Sequence, residues 1–213
     1  MKLILPRVPF YLVRHGQTYH NINGLTSGVN DCSLTKAGFA QAKVVRDLIH
    51  ELAIVNPCIY SSPLRRAKKT SEIISNGIIT IKIVKDLKER EFGDWEGKEW
   101  QKILQKLNAG IHPPNGETTI EHIERFRKIF RHILIQSATE MVTPIIVGHG
   151  GSFYCFSKIY KQKYYMYVDN CHLYYFEPKL NAIIGKVPWN IWYLASIQEK
   201  YDFIKMSRCE FYS

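Results

Sequence analysis

Several features that define large classes of protein are missing from this 213-residue sequence. No apolar run reaches the roughly 18–20 residues that a membrane-spanning helix needs. There is no internal repeat, no low-complexity tract and no Gly/Ser-rich linker. The hydrophobic share of 46% is ordinary for a globular protein, which argues against a disordered or collagen-like chain. We therefore expect a single domain over residues 1–213, with a small insert at roughly residues 98–116.

Cysteine is sparse, and its five copies form no C-x-x-C pair. With an odd count and no such pair, reduced thiols are favoured over a disulfide framework. Pro6, Arg7 and Pro9 interrupt the apolar N-terminal run before it reaches the length of a signal peptide. We therefore expect a cytoplasmic protein with free thiols.

Acidic residues are outnumbered by basic ones, 19 against 29, which gives a formal net charge of +10. Such an excess favours anionic partners, among them nucleic acid, an acidic membrane surface and phosphorylated small molecules. The largest basic block, Arg65-Arg66-Ala67-Lys68-Lys69, is shorter than the stripe that a nucleic-acid binder usually shows. The sequence thus favours a small phosphorylated metabolite as partner, with no nucleic acid and no membrane, and it leaves the oligomeric state open.

Short apolar runs alternate with helical patterns along most of the chain. Strands are predicted at residues 8–13, 57–60, 78–84 and 144–147, and a hairpin or edge pair at 171–176 and 181–187. Helices are predicted at residues 34–52, 64–74, 99–107 and 153–160, with a long helix opening at Thr118. This alternation predicts an α/β fold: a three-layer sandwich, with a mostly parallel central sheet, helices on both faces and a small helical insert.

The helix starts and faces can also be predicted. Thr35 is a plausible N-cap, Thr118 forms a capping-box pattern with Glu121, and Ser62 is a candidate cap with Pro63 at the first helical position. The predicted buried face of the first helix holds Ala37, Ala40, Val44, Leu48 and Leu52. The corresponding side of the long helix holds Ile120, Ile123, Arg127, Phe130 and Leu134.

The ends of the predicted strands carry the chemistry, because ligands bind beyond the carboxyl ends of parallel strands. One strand runs into Arg14-His15-Gly16 and another into His149-Gly150-Gly151. Glycine lets the backbone turn sharply and brings N–H groups toward an anion. Two such His-Gly pairs at strand ends therefore favour a functional site over chance.

Two further strand ends contribute charged groups. In the helix after the second strand, Arg65, Lys68, Lys69 and Glu72 form a solvated face. Arg66 lies apart from that face, in the first turn, where the helix dipole favours an anion, although a surface salt bridge explains it equally well. Residues 87–97 follow the third strand with four carboxylates, one of which could be a general acid. Spacing alone does not choose among Glu89, Glu91, Asp94 and Glu96.

Two histidines, two arginines and an acid suit phosphoryl transfer through a covalent histidine. An imidazole nitrogen is a competent nucleophile at neutral pH. Arginines and a second histidine can neutralise the oxygens of the transferring group, and a carboxylic acid can protonate the leaving oxygen. No metal or other cofactor is needed, and two histidines without converging carboxylates make a metal site the weaker alternative.

Residues 12–18 read Leu-Val-Arg-His-Gly-Gln-Thr, and Asn21 follows. Further blocks lie at residues 31–38, 41–42, 61–67, 87–97, 114–118 and 147–151, with Thr70 and Arg125. In order and content these blocks resemble the histidine phosphatase superfamily, also called phosphoglycerate mutase-like. The resemblance extends over residues 8–155. So many matching points are far more specific than a lone Arg-His-Gly.

The resemblance implies a role for each matching position. His15 would be the nucleophile that becomes phosphorylated. Glu89 would protonate the leaving group and then activate water. The remaining implied positions are Arg14, Arg66 and His149 in the phosphate pocket; Gln17, Thr18, Asn21 and the backbone of Gly28 at its entrance; and Glu117 and Arg125 as structural residues that pair with each other or with the pocket.

Two departures from the family pattern concern the pocket mouth. Residues 24–28 read Gly-Leu-Thr-Ser-Gly and lack the Arg-Gln pair that is frequent in the family. Beyond residue 155 the resemblance fades. Trp189, Trp192 and Tyr193 could cover the mouth, although packing against the sheet is favoured.

The favoured function is a metal-independent phosphoric monoester hydrolase of the histidine acid phosphatase type. A phosphoglycerate mutase shares every catalytic residue and is the alternative. The short segment 98–113 and the Gly93-Asp94-Trp95-Glu96-Gly97 sequence favour the phosphatase branch. A catalytically silent binding protein is less favoured because every catalytic position is occupied. The substrate is not identified by the sequence.

Overall fold

The computed structural model describes residues 6–160, 168–179, 189–197 and 200–205. The strands are β1 Phe10–Arg14, β2 Pro57–Ser61, β3 Thr80–Ile83, β4 Thr143–Gly148, β5 Leu173–Pro178, β6 Trp189–Ile197 and β7 Lys200–Lys205. The α-helices are α1 Tyr19–Ile22, α2 Lys36–Glu51, α3 Arg65–Ser75, α4 Trp100–Asn108, α5 Thr119–Glu140 and α6 Gly150–Ile159. Among the helices of these ranges, none is long and apolar enough to span a membrane.

The described strands form one sheet in the order β3-β2-β4-β1-β5-β6-β7. The first four of these are parallel to one another, and β5, β6 and β7 extend the sheet in antiparallel pairing. The predicted α/β class is confirmed. The sequence predicts a hairpin or an edge pair at residues 171–176 and 181–187. An edge position is wrong for the first of these strands, because β5 lies between β1 and β6 in the sheet. The predicted strand at 181–187 lies outside the described residues.

Helices cover both faces of the sheet, as predicted. On one face α2 and α3 pack through Val45, Leu48 and Ile74 onto β1 and β4. On the other face α5 and α6 contribute an aromatic core that includes Phe130 and Phe156. Trp189 is buried in this second core, where its indole N–H donates to the Val8 carbonyl at 3.0 Å, so the favoured packing interpretation of this tryptophan is confirmed.

The predicted face of α2 is wrong. Ala37, Ala40 and Val44 are exposed, and the helix buries Ala42, Val45, Leu48 and Ile49. Leu48 belongs to both the predicted and the observed buried face. Because residues 44 and 45 are both apolar, the sequence is compatible with two buried faces that differ by about 100° of rotation about the helix axis. Contact with α3 selects the observed face, and that information is not local in the sequence.

The face of α5 is also rotated from the prediction. Ile120 is exposed, while Phe126, Phe130 and Leu134 are buried together with His122. The predicted caps are confirmed: the Thr35 hydroxyl accepts from the Gly38 N–H at 3.0 Å, and Thr118 and Glu121 form the capping box.

The start of α3 differs from the prediction. The helix begins at Arg65 with Leu64 as N-cap, so Ser62 is not the cap and Pro63 is not the first helical residue. The first turn is capped by a residue outside the helix, because the Asp31 carboxylate accepts from the backbone N–H groups of Arg65 and Arg66. The Ser62 hydroxyl is directed instead to the neighbouring strand end, where His149 lies.

Candidate active site

The two His-Gly turns lie side by side because their strands are paired in register. In the parallel pairing of β1 with β4, Arg14 is opposite Gly148, so the next residues, His15 and His149, leave the sheet at the same level. Their ring centroids are 5.3 Å apart with an interplanar angle of 60°. Residues separated by 134 positions along the chain therefore share one pocket at the carboxyl end of the sheet.

His15 is held as a neutral imidazole with one nitrogen available for reaction. Its Nδ1 lies 2.8 Å from the Gly16 carbonyl oxygen, so Nδ1 carries the hydrogen and Nε2 carries the lone pair. Burial, followed by the positive charges of Arg66 and Arg14, lowers the pKa of His15 well below its usual value. The Asn170 amide donates to the His15 carbonyl at 2.8 Å and fixes the turn. Neutral Nε2 is the form that a nucleophile requires.

Arg66 places a guanidinium directly against this nitrogen. Its Nε lies 3.2 Å from His15 Nε2, and its side chain is fully buried. The remaining donors go to Asp31 Oδ1 at 3.2 Å and to the carbonyls of Ser27, Gly28 and Asn30 at 3.2, 2.7 and 3.5 Å. Of the two interpretations of Arg66, the salt bridge exists, with Asp31, but it is not a surface pair because the Arg66 side chain is fully buried. Binding of an anion stays a prediction.

The loop of residues 27–30, which presents these carbonyls, is held in place by the carboxylate of Glu96. Glu96 accepts backbone N–H groups from Gly28 and Val29 at 2.9 Å each, from Phe92 at 3.0 Å and from Asn30 at 3.4 Å. A Cβ at Gly28 would overlap the Glu96 carboxylate, so this close approach requires glycine. Glu96 therefore orients Arg66 through the loop.

We expect Glu96→Gln to weaken phosphate binding by misplacing Arg66. A glutamine side chain has one acceptor oxygen, and its NH₂ group meets backbone donors, so several N–H groups lose their partner. A fall in kcat/KM of about 10-fold or more on 4-nitrophenyl phosphate is expected, since each lost charge-assisted bond costs about 1.5–3 kcal/mol. Glu99→Gln is the matched control, because Glu99 is exposed and pairs only with Lys102 in the described residues. Unchanged kinetics for Glu96→Gln would contradict this role.

His149 faces His15 from the N-cap position of α6. Its Nε2 lies 2.7 Å from the Ser62 hydroxyl, which also accepts the Leu64 N–H at 3.3 Å. The short Nε2–Oγ contact fixes the orientation of the ring, and either atom can supply the hydrogen. Within the described residues, Nδ1 is buried without a hydrogen-bond partner. Burial, Arg66, His15 and Arg14 lower the pKa of His149 well below its usual value.

Arg14 completes the cationic side of the pocket. It is the last residue of β1, its Nη1 donates to the Val168 carbonyl at 2.7 Å, and its charge lowers the pKa values of both facing histidines. A Cβ at Gly150 would lie 3.9 Å from Arg14 Nε, so the guanidinium borders the start of α6. Two guanidiniums and two imidazoles therefore lie close together at the ends of β1 and β4.

Geometry separates the four carboxylates that spacing could not separate. Glu91 pairs with Lys88 at the surface, Asp94 accepts from Asn115, and Glu96 holds the loop. Glu89 is buried beside the start of α6, where its Oε2 accepts the Gly151 N–H at 2.9 Å. The structure thus brings Glu89, alone among these four, next to the His149 turn.

The position of Glu89 is fixed from several sides. Its Oε1 accepts the Arg90 N–H at 2.8 Å, and its carbonyl accepts from Arg125 at 3.2 Å. Arg125 also forms an ion pair with Glu117 at 2.7 Å. Of the two predicted alternatives, pairing with each other or pairing with the pocket, the first is therefore observed. A Cβ at Gly151 would overlap the Glu89 carboxylate. The glycine after His149-Gly150 is therefore needed for the acid to approach.

The four predicted entrance residues are engaged within the protein. Gln17 Oε1 accepts from the Thr35 hydroxyl at 2.9 Å. Thr18 is fully buried and caps α1, and its hydroxyl donates to Asn21 Oδ1 at 3.0 Å. The Gly28 backbone is committed to Glu96 and Arg66. These residues therefore form part of the protein surroundings of His15 and Arg66.

Sequence reasoning missed four contributors to the site. Asp31 lies in a block that resembles the family and could have been found there as a partner of an arginine. Ser62 was predicted to cap α3, whereas its hydroxyl contacts His149. Asn170 and His122 carry no motif, and only the tertiary arrangement places them beside His15 and Glu89.

Paired imidazoles, two guanidiniums and a carboxyl group at the ends of parallel strands are the arrangement expected of a phosphoryl-transfer site. The chain belongs to the histidine phosphatase superfamily (branch 1), whose family model matches residues 10–180. The family inferred from the motifs is therefore confirmed.

Individual relatives include both phosphatases and mutases. "Putative phosphoserine phosphatase 2" of Hydrogenobacter thermophilus is 35% identical over 153 residues, which cover 68% of this chain and 74% of the relative. A 2,3-bisphosphoglycerate-dependent phosphoglycerate mutase of Mesorhizobium japonicum is 29% identical over 155 residues, which cover 66% of this chain and 75% of the mutase. Among solved structures, YhfR of Bacillus stearothermophilus has a TM-score of 0.70 at 26% identity, over 84% of this chain and 97% of YhfR.

Proposed function

We propose that this protein is a phosphomonoesterase that hydrolyses a small phosphorylated metabolite through a phosphohistidine on His15. The observation that carries the proposal is the contact of Arg66 Nε with His15 Nε2 at 3.2 Å, opposite His149. A nucleophilic lone pair, a fixed cation and a second imidazole then meet at one point. The phosphatases among the relatives support hydrolysis as the reaction class.

In the first step, His15 Nε2 attacks phosphorus, the N–P bond forms and the ester P–O bond breaks. The Arg66 donor that now faces Nε2 turns to a phosphoryl oxygen as the lone pair is used. Arg14 and the His149 imidazole donate to the remaining oxygens, whose charge needs fixed donors in a water-poor site. Glu89, in its acid form, gives its proton to the leaving oxygen.

In the second step, the Glu89 carboxylate accepts a proton from water, and the hydroxide so formed attacks phosphorus. The N–P bond breaks, its electron pair returns to His15 Nε2, and inorganic phosphate leaves. Each group ends in its starting protonation state, so the cycle needs no metal and no other cofactor. We place Gln17, Thr18, Asn21 and Gly28 around the mouth as supports for His15 and Arg66.

Vanadate should inhibit the enzyme, and chelators should not. Vanadate adopts the pentacoordinate geometry of the transferring phosphorus and fits donors arranged for its equatorial oxygens. The measurement is hydrolysis of 4-nitrophenyl phosphate with increasing orthovanadate, and separately after dialysis against EDTA. Loss of activity on chelation that a divalent cation restores would contradict the metal-independent mechanism.

The substrate is to be found among small phosphate esters. We propose a panel of phosphoserine, 3-phosphoglycerate, sugar phosphates, sugar bisphosphates and nucleotide-derived phosphates, each assayed for released phosphate. The net charge of +10 favours polyanionic members of the panel. A relative named as a phosphoserine phosphatase makes phosphoserine the first ester to test.

Phosphoglycerate mutase activity is the second candidate, because the Mesorhizobium japonicum relative is a mutase. A mutase returns the phosphoryl group from histidine to an organic acceptor and depends on a bisphosphate primer. Product analysis with 3-phosphoglycerate distinguishes the two. Primer-dependent isomerisation that outpaces phosphate release would replace the phosphatase proposal.

A further inference from the structure

A third buried imidazole lies behind the acid. His122, on α5, is 3% exposed, and its Nε2 is 3.8 Å from Glu89 Oε1. A Cβ built at Gly151 would lie 2.7 Å from His122 Cε1 while overlapping the Glu89 carboxylate. The Glu89 carboxyl group therefore lies between the His122 imidazole of α5 and Gly151 of α6.

The same face of α5 holds residue 89 at two points. His122 and Arg125 are three residues apart, so their side chains lie on one side of the helix. Arg125 donates to the Glu89 main-chain carbonyl at 3.2 Å, while His122 faces its side chain. One helix thereby binds the backbone of residue 89 and lies against its carboxyl group.

Folding stability alone does not account for a histidine at this position. Among the described residues, His122 Nδ1 is buried without a hydrogen-bond partner, and burying such a group opposes folding because its hydration is lost without compensation. Burial is the main cause that lowers the pKa of His122 to about 4, against the opposing effect of Glu89 and together with Arg125 and Arg90. The ring is thus neutral, and an apolar side chain of similar size would fit this core at lower cost.

We propose that His122 is a positioning residue that holds the Glu89 carboxyl group in line for proton transfer; this rests on the proposed function of Glu89. The imidazole confines the carboxyl group from the α5 side, while the Gly151 N–H binds it from the α6 side. A carboxyl group that must first give and then take a proton at one point gains rate from a fixed orientation. His122 acts through Glu89 and touches neither substrate nor phosphoryl group.

The test compares His122→Leu and His122→Gln on two esters. The esters are 4-nitrophenyl phosphate, whose leaving group needs little protonation, and the best alkyl phosphate of the panel. We expect His122→Leu to lower kcat/KM for the alkyl ester about 10-fold, a fraction of the whole general-acid effect, and to change the aryl ester less than about 3-fold. His122→Gln, which restores a polar group near the Nε2 position, should recover part of the loss. The melting temperature of His122→Leu should equal or exceed that of the wild type.

Matched variants separate this inference from the proposed function. His132→Leu is the control, because His132 is exposed on the same helix. In a Glu89→Gln background, His122→Leu should have no further effect, as expected when one residue acts through the other. Equal losses on both esters, or a lowered melting temperature, would overturn the positioning role. If Glu89→Gln lowers kcat/KM more for the alkyl ester than for the aryl ester and His122→Leu does not, the positioning role of His122 is wrong and the acid role of Glu89 stands. If neither variant shows this difference, the proposed acid role of Glu89 is wrong, and the inference about His122 is overturned with it.

Discussion

Replacing His15 with alanine should abolish turnover and leave the fold intact. The variant retains the guanidiniums and His149, so it still binds phosphate, but no lone pair remains to attack phosphorus. We expect kcat/KM on 4-nitrophenyl phosphate to fall by about 10⁴-fold or more, the scale of losing a covalent nucleophile. Phosphate binding should persist, because Arg66 keeps Asp31 and the loop carbonyls as partners.

The matched control for this variant is His50→Ala, which removes an exposed imidazole from α2. Circular dichroism and the melting temperature establish that both variants are folded. Activity of His15→Ala close to that of the wild type would refute the nucleophile assignment. A silent binding protein would instead show ligand binding by the wild type and no turnover on any member of the panel.

Replacing Glu89 with glutamine should separate substrates by their leaving groups. Glutamine keeps the size of the side chain and an acceptor for the Gly151 N–H, but it has no proton to give. We expect kcat/KM for alkyl phosphates to fall about 10²–10⁴-fold, the usual contribution of a general acid. The loss for 4-nitrophenyl phosphate should be much smaller, because nitrophenolate leaves without protonation.

Glu91→Gln is the matched control for the acid. Glu91 is two residues away and pairs with Lys88 at the surface, so its substitution should leave both esters unaffected. Equal losses on alkyl and aryl esters in Glu89→Gln would contradict the acid role. A leaving-group effect that appears in Glu91→Gln instead would move that role to Glu91.

The chemistry of the site could be predicted from the sequence because the residues that carry it lie in short motifs directly after predicted strands. Each of His15, Arg66, Glu89 and His149 follows a strand within a short motif, and parallel strands end at one edge of the sheet. Pairing of β1 with β4 then brings the two histidines together without further information. The choice of Glu89 from four carboxylates required the family resemblance, since spacing left it open.

The supports of the site could not be predicted, because they depend on contacts between distant segments. Glu96 acts on a loop 66–68 residues away, and Asn170 reaches His15 across 155 positions. His122 was missed for a related reason: the predicted face of α5 was centred too close to Ile120, which is exposed. Periodicity gives the existence of a helix face more reliably than its exact direction.

The arrangement of the antiparallel half of the sheet, formed by β5, β6 and β7, could not be predicted for the same reason. No motif marks β6 and β7, and the sequence prediction ended with a hairpin before residue 188. Aromatic side chains explain the pairing of β5 with β1, where Phe10 stacks on Phe176 with centroids 4.3 Å apart. Both strands were predicted from the sequence, but their pairing with each other was not.

The most direct test of the central claim is to trap the phosphoryl group during turnover. The enzyme is mixed with 4-nitrophenyl phosphate, quenched in alkali to preserve the acid-labile N–P bond, and examined by intact mass and peptide mapping. The mechanism predicts one added phosphoryl group on the peptide that contains His15, absent from His15→Ala and increased in Glu89→Gln, where hydrolysis of the intermediate is slowed. A turning-over enzyme that carries the group on another residue, or forms no such adduct in either form, would contradict it.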